Sequence, residues 1–201
     1  GYAYPFYVRN SYDQVFKCLA NNSGGLSTEM PQISLGGQLP QNPYIQTGDG
    51  YKWKYLYTIP SGLKKKFFNS EWMPVTSDSV VTSAAVNGSI DVVKLIDGGS
   101  NYNGGVASGS ATILTVTGNG TGANITAVVA AETGEITDWT VLDGGSGYTY
   151  ATITASGGTG ANLIPVIGPY GGHGSDPTYE LGASTFMLCP MFFLPFKSGI
   201  V

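Results

Sequence analysis

The chain has 201 residues, of which 42% are hydrophobic and only 11% are charged, with 30 glycines, 13 tyrosines and a formal net charge of −4. This is enough for one sizeable domain or two small ones, and the composition excludes both the disordered class and charge-rich helical bundles. Because Arg9 is the single arginine and no basic stripe is present, we expect no nucleic-acid partner.

Neither a membrane span nor a leader peptide is visible in the sequence. The most apolar stretch, residues 187–196, is interrupted by Pro190 and Pro195, so we predict no membrane partner and, after Gly1, no signal peptide. Cys18 and Cys189 lie near opposite ends of the chain without a second cysteine nearby. We therefore expect free buried thiols rather than a disulfide or a metal site.

The first part of the chain, residues 1–76, is rich in aromatic side chains. Residues 12–19 fit either a helical face or a short buried strand, and their aromatic and β-branched content favours the strand. Residues 21–44 are mostly Asn, Ser, Gly, Gln and Pro, which predicts a long surface loop. In residues 52–59 aromatic and other side chains alternate, which predicts a strand whose Trp53 and Tyr55 face is buried.

The lysines at positions 64–66 form the one basic cluster. A run this short is typical of a solvated turn, and we assign it no function.

An internal repeat occupies the middle of the chain. Residues 90–102 (IDVVKLIDGGSNY) align with residues 136–148 (ITDWTVLDGGSGY), and the segment GTGAN occurs at residues 120–124 and 158–162. Each unit is predicted to form a strand, an Asp-Gly-Gly turn, a Tyr-bearing segment, a second strand, a glycine-rich turn and a third strand. Since a few short strands cannot bury an apolar face alone, the two copies are expected to pack against each other or against a neighbour.

The composition of the chain ends differs from that of the repeat and predicts a mainly β fold. Residues 1–76 and 168–201 are both rich in aromatic residues and interrupted by prolines, so we expect them to form one discontinuous β-rich domain. Residues 77–167 would then be an inserted small β domain with two Asp-Gly-Gly-Ser-x-Tyr repeats. We expect little helix.

The single histidine, His173, lies close to Ser175 and Asp176, which suggests a hydrolase triad. Triad members normally come from separate elements that converge in space, and three neighbouring loop residues do not ordinarily reach that geometry. We therefore predict a structural loop in which His173 and Asp176 form hydrogen bonds that hold the segment before Tyr179 and Glu180.

The carboxylates also lack the context of a catalytic or metal site. No recognisable glycosidase pattern surrounds the candidates, which are Glu29, Glu71, Asp138, Asp143 and Glu180. The Asp-Gly-Gly turns at Asp97 and Asp143 lack the alternating ligands of a calcium loop, so Asp opening a tight turn is the preferred interpretation. We predict no catalytic residue, no cofactor and no metal.

Five blocks outside the repeat resemble one known family, the baseplate wedge subunits of contractile-tailed bacteriophages, particularly those of cyanophages. The blocks are residues 7–21 (YVRNSYDQVFKCLAN), Ser27-Thr28, residues 48–59 (GDGYKWKYLYTI), residues 71–76 (EWMPVT) and residues 170–183 (YGGHGSDPTYELGA). The repeat is a departure from the family. Repeats of the Asp-Gly-Gly-Ser-Gly-Tyr type are similar to small β modules of phage structural proteins.

The resemblance implies a mostly β virion protein without enzymatic activity, located at the tail baseplate. Its partners would be a second copy of itself, as a homodimer, and the other wedge proteins around the tail hub. The alternative function is a glycan- or host-surface-binding module of a tail fibre or adhesin, in which Tyr102 and Tyr148 present stacking faces. Against that alternative, each tyrosine would simply pack on its own turn.

Overall fold

The structure is a computed structural model that describes residues 6–34, 44–102, 109–111 and 114–183. Within these residues the fold is mainly β, as predicted, with three short α-helices. The strands are β1 (Tyr7–Arg9), β2 (Gln14–Asn21), β3 (Ile45–Gln46), β4 (Tyr51–Thr58), β5 (Ile90–Asp97), β6 (Gly109–Ala111), β7 (Leu114–Gly118), β8 (Thr121–Val129), β9 (Ile136–Ser146), β10 (Ala151–Ala155) and β11 (Asn162–Ile167). The helices are α1 (Ser61–Phe67), α2 (Ser79–Ala84) and α3 (Pro177–Glu180).

The first sheet is antiparallel, with strand order β1-β2-β4-β3. Both strand predictions for this part of the chain are confirmed, because β2 covers most of residues 12–19 and β4 covers residues 52–58. Trp53 and Tyr55 on β4 are 1% and 7% exposed, as the alternating pattern predicts. A β-bulge at Leu56 shifts the register between β2 and β4. Such a bulge reorients the following side chains.

The predicted loop at residues 21–44 is confirmed over its described part. After one short 3-10 turn (Asn22–Gly24), residues 25–34 form no regular element, and nearly all of them are exposed or partly exposed. Residues 35–43 lie outside the described residues.

The lysines at positions 64–66 lie in α1, so the turn prediction is wrong. Pro60 immediately precedes the helix, where its missing N–H costs no hydrogen bond, and the pair Ser61-Gly62 continues into the helix. The Lys64 ammonium is 2.8 Å from a carboxylate oxygen of Asp13, so one of the three lysines has an ion-pair partner.

The strands of the two repeat copies are exchanged. β5 of the first copy pairs with β11 of the second, and β9 of the second copy pairs with β8 of the first. The central strands β7 and β10 also pair with each other. Each copy therefore completes its sheets with strands of the other copy. A single copy would lack these partner strands and could not bury its apolar face alone.

The two Asp-Gly-Gly segments have matching backbones. Gly99 and Gly145 have φ values of 60° and 62°, and each donates its N–H to the preceding Asp carboxylate, Asp97 or Asp143, at 2.8 Å. In both copies the aspartate thus accepts from the backbone two residues further on. Asp143 and Gly144 nevertheless lie inside strand β9 and pair with β8, so at Asp143 the predicted tight turn is instead a kink within a strand. The shared conformation agrees with the internal duplication seen in the sequence.

Each repeat tyrosine packs on the glycine-rich turn of the other copy. A Cβ atom on Gly158 would lie 2.6 Å from the ring of Tyr102, and a Cβ atom on Gly120 would lie 2.4 Å from the ring of Tyr148. Both tyrosines are buried, at 7% and 5% exposure. Only glycine leaves room for these rings.

The segment that follows the repeat returns to the first sheet. Leu181 packs in the same apolar cluster as Val15 and Tyr57, and the Tyr7 hydroxyl donates to the Glu180 carbonyl at 2.7 Å. α2 also packs on this sheet through Val81, although its residues belong to the 77–167 segment by composition. The division of the chain into two domains stays a prediction.

Substituting the glycines under the tyrosine rings tests the exchanged arrangement. We expect Gly120→Ala and Gly158→Ala each to lower the free energy of unfolding by about 1–3 kcal/mol, because the added methyl group collides with a ring and a carbonyl oxygen. Urea unfolding measures the effect. Gly62→Ala in α1, where a Cβ atom meets nothing within 4 Å, is the control and should be neutral or stabilising. Wild-type stability of both turn variants would contradict the packing.

Candidate functional site

A buried polar cluster centres on the carboxylate of Glu180, whose side chain is 2% exposed. It accepts hydrogen bonds from the Gly174 N–H at 2.9 Å and from the Lys17 ammonium at 3.0 Å, and it pairs with Nδ1 of His173. One buried carboxylate thus joins α3, the glycine-rich loop before it and strand β2.

The three residues of the suspected triad have separate partners. His173 pairs with Glu180, the Asp176 carboxylate accepts from the Tyr179 N–H at 3.0 Å as the N-cap of α3, and the Ser175 hydroxyl donates to the Tyr170 carbonyl at 3.5 Å. Both His173 and Asp176 therefore hold the loop before Tyr179 and Glu180, as predicted. The importance of Glu180 itself was missed, because nothing in the sequence marks it as the partner of the histidine.

Opposing effects act on the pKa of Glu180. Burial alone would raise it, but the hydrogen bond and charge of His173, the Gly174 amide and the charge of Lys17 lower it from 4.5 to about 2. The carboxylate is therefore ionised over the whole neutral range, and its ionisation stabilises the fold.

A buried lysine connects the first sheet to the repeat. Lys52 on β4 is 3% exposed, and its ammonium donates to the Asp138 carboxylate at 2.6 Å and to the Trp139 carbonyl at 3.2 Å. The same ammonium lies 3.9 Å from the centre of the Trp139 ring, a cation–π contact. Tyr44 contributes a second link, because its hydroxyl accepts from the Val141 N–H at 3.3 Å.

Asp49, in the turn before β4, anchors the surface loop. Its carboxylate accepts from Ser27 Oγ at 2.8 Å and from the backbone N–H groups of Thr28 and Glu29 at 2.8 and 3.1 Å. A hydrogen bond from Thr47, together with those from the loop, lowers the pKa of Asp49 against the opposing effect of burial.

The remaining carboxylate candidates have local structural roles or lie at the surface. Glu29 accepts from the Gly48 N–H at 2.8 Å, Asp138 binds Lys52, and Glu71 is exposed. Among the described residues, nowhere do three or more His, Cys, Asp or Glu side chains come together in a way that would hold a metal ion.

The described thiol is poorly reactive. Cys18 is free and partly buried, and burial raises its pKa to about 11 although a backbone hydrogen bond at Ala20 opposes this. Cys189 lies outside the described residues. The rings of Tyr102 and Tyr148 are buried in the repeat, so they present no open stacking face.

A cavity of about 410 Å³ lies between the first sheet and the repeat. Its polar lining comprises Lys54, Ser89, Asp91, Asp143 and His173. Asp91 is 4% exposed and accepts from the Ser89 hydroxyl at 2.6 Å, while the Lys54 ammonium is 3.8 Å from its other oxygen. The cavity was not predicted, because its walls come from parts of the chain that are distant in sequence.

Comparison with known proteins identifies no relative: no family model, no curated protein and no solved structure matches the chain. None of the helices in the described residues has the length and apolar character that a bilayer span requires.

Removing the buried lysine charge tests the link between the first sheet and the repeat. We expect Lys52→Met to lower the free energy of unfolding by about 1–3 kcal/mol, since charge-assisted hydrogen bonds and a cation–π contact are lost while the side-chain volume is kept. Urea unfolding followed by tryptophan fluorescence gives the value. Lys65→Met, at an exposed position in α1, should be neutral. A variant at Lys52 as stable as wild type would disprove the role of this pair.

Neutralising Glu180 tests the polar cluster through pH. Because its folded pKa of about 2 lies below the ordinary value of 4.5, its stabilising effect is present above pH 4.5 and is lost as the pH falls towards 2. Glu180→Gln should therefore cost about 3 kcal/mol at pH 7 and almost nothing near pH 2. Unfolding curves across this range measure the difference. Glu132→Gln, at an exposed position, is the control, and an equal cost at both pH values would contradict the assignment.

Proposed function

We propose that the chain is a structural component of a phage tail baseplate wedge, without enzymatic activity, that acts through protein–protein contacts around the tail hub. Its partners are a second copy of itself and the neighbouring wedge proteins. This proposal rests on the resemblance of the five sequence blocks, and one structural observation supports it.

That observation is the mutual contact of the five blocks. Asp49 binds Ser27 and Thr28, so the second and third blocks touch, and β2 pairs with β4, which joins the first and third. The Tyr57 hydroxyl donates to the Pro74 carbonyl at 3.4 Å, which brings in the fourth block. The Lys17–Glu180 pair connects the first block to the fifth. Blocks that are scattered in the sequence thus form one continuous structure, as a shared wedge domain requires.

The surface of these blocks also suits assembly. Several aromatic residues within them are exposed, namely Tyr12 at 55%, Trp72 at 43%, Tyr170 at 89% and Tyr179 at 73%. Tyrosine and tryptophan are the side chains that most often anchor protein–protein interfaces. We therefore place the assembly contacts on the block surface rather than on the repeat.

Locating the chain in intact particles tests the proposal. In phage particles that carry a tagged copy, electron microscopy should show the tag at the tail baseplate. Tyr179→Ala should reduce incorporation several-fold by removing an interface anchor. Tyr150→Ala, at a similarly exposed position in the repeat, should incorporate normally.

Two results would contradict the proposal. One is a tag at a fibre tip or absent from the particle. The other is a Tyr150→Ala defect with normal incorporation of Tyr179→Ala, which would move the contact surface to the repeat.

A further inference from the structure

The cavity between the first sheet and the repeat has the size and lining of a small-molecule site. Its volume of about 410 Å³ lies in the usual range for ligand pockets, which combine apolar walls with a few fixed polar groups. The apolar walls are formed by Val81, Ala85, Val86 and Leu142. Val86 and Leu142 both line the cavity and are 43% and 52% exposed.

The second Asp-Gly-Gly segment, inside strand β9, forms one wall of this cavity. Asp143, Gly144 and Gly145 line it, and a Cβ atom on Gly144 would lie 2.1 Å from Ser89 Oγ and 3.0 Å from Asp91 Oδ1. Glycine at this position therefore lets the turn approach the Ser89–Asp91 pair directly. The equivalent turn of the first copy, around Gly98, packs against Ile136 instead.

Two opposite charges in the cavity keep unused hydrogen-bonding capacity. The Lys54 ammonium is 3.8 Å from Asp91 Oδ2, which is too far for a hydrogen bond, and no other described residue accepts from it. Asp91 Oδ1 is bonded to Ser89, while no described donor binds Oδ2. A ligand hydroxyl can accept from the ammonium and donate to the carboxylate at once.

We propose that this cavity binds a neutral, hydroxyl-rich ligand, a single sugar unit such as the end of a glycan. Two carboxylates, Asp91 and Asp143, disfavour an anion, and a ligand ammonium has no acceptor for the hydrogen bond that Lys54 can donate. A neutral sugar ring carries neither charge. Its hydroxyls bridge the Lys54 ammonium and the Asp91 carboxylate, while its C–H face packs on Val86 and Leu142. This site is separate from the tyrosine rings of the repeat and from the exposed aromatics of the block surface.

The test compares sugars that share a ring and differ in charge. Amide chemical shifts of the full chain are followed by NMR during titration with glucose, galactose and N-acetylglucosamine, and with the anion glucuronate and the cation glucosamine. We expect at least one neutral sugar to cause saturable shifts in residues 89–91 and 142–145, with both charged sugars about tenfold weaker or more.

Matched variants separate the cavity from the rest of the surface. Val86→Trp fills the cavity and should abolish the shifts, whereas Val80→Trp, on α2 outside the lining and 57% exposed, should bind as wild type does. Lys54→Met should weaken binding about tenfold by removing the hydrogen-bond donor. If Lys54→Met does not fold, the Val86 and Val80 pair still decides the question.

Three outcomes would overturn the proposal. They are an absence of saturable shifts with every neutral sugar, tighter binding of glucuronate or glucosamine than of the neutral sugars, and unchanged binding by Val86→Trp.

Discussion

The fold depends on the rule that a buried charge must have partners. Lys52 and Lys54 alternate with the aromatic residues of β4, and in an isolated sheet both would extend into water. Here the repeat covers both lysines. Lys52 pairs with the Asp138 carboxylate and the Trp139 ring, while the Lys54 ammonium is too far from Asp91 for a hydrogen bond. The first lysine joins the two parts of the molecule, and the second leaves polar groups open in the cavity between them. The same alternation of side chains thus produces both the link and the proposed site.

A similar rule organises the neighbouring strand β2, where Lys17 lies opposite Lys54. Glu180 enters a buried position only because Lys17, His173 and the Gly174 amide satisfy its carboxylate. In return, the short helix α3 and the glycine-rich loop, which have little apolar area of their own, are fixed to β2. The closeness of His173, Ser175 and Asp176 in the sequence suggested a catalytic triad. Their separate hydrogen-bond partners show instead that these polar side chains hold the loop in place.

The sequence predicts local structure well where a pattern repeats within a few residues. The period-2 aromatics of β4 and the buried strand β2 follow from adjacent positions, whereas the segment at Asp143, predicted to be a turn, lies inside β9. The helix α1 was missed because Pro60, Ser61 and Gly62 are typical of turns as well as of helix starts. The exchange of strands and the pairing of Lys52 with Asp138 join residues far apart in the chain. No local pattern specifies such contacts, and the cavity they enclose was missed for the same reason.

The exchange of strands also affects the order in which the protein can fold during synthesis. β5 ends at Asp97, but its partner β11 begins only at Asn162, so the first repeat copy leaves the ribosome before the strand that completes it exists. At about 5–20 residues per second, β5 waits for several seconds with its edge unpaired. During that interval Val92, Val93 and Leu95 have no partner strand, and an unpaired apolar edge is a template for association with other chains. β5 itself carries Asp91, Lys94 and Asp97, and charged side chains of this kind oppose such association while the strand waits for its partner.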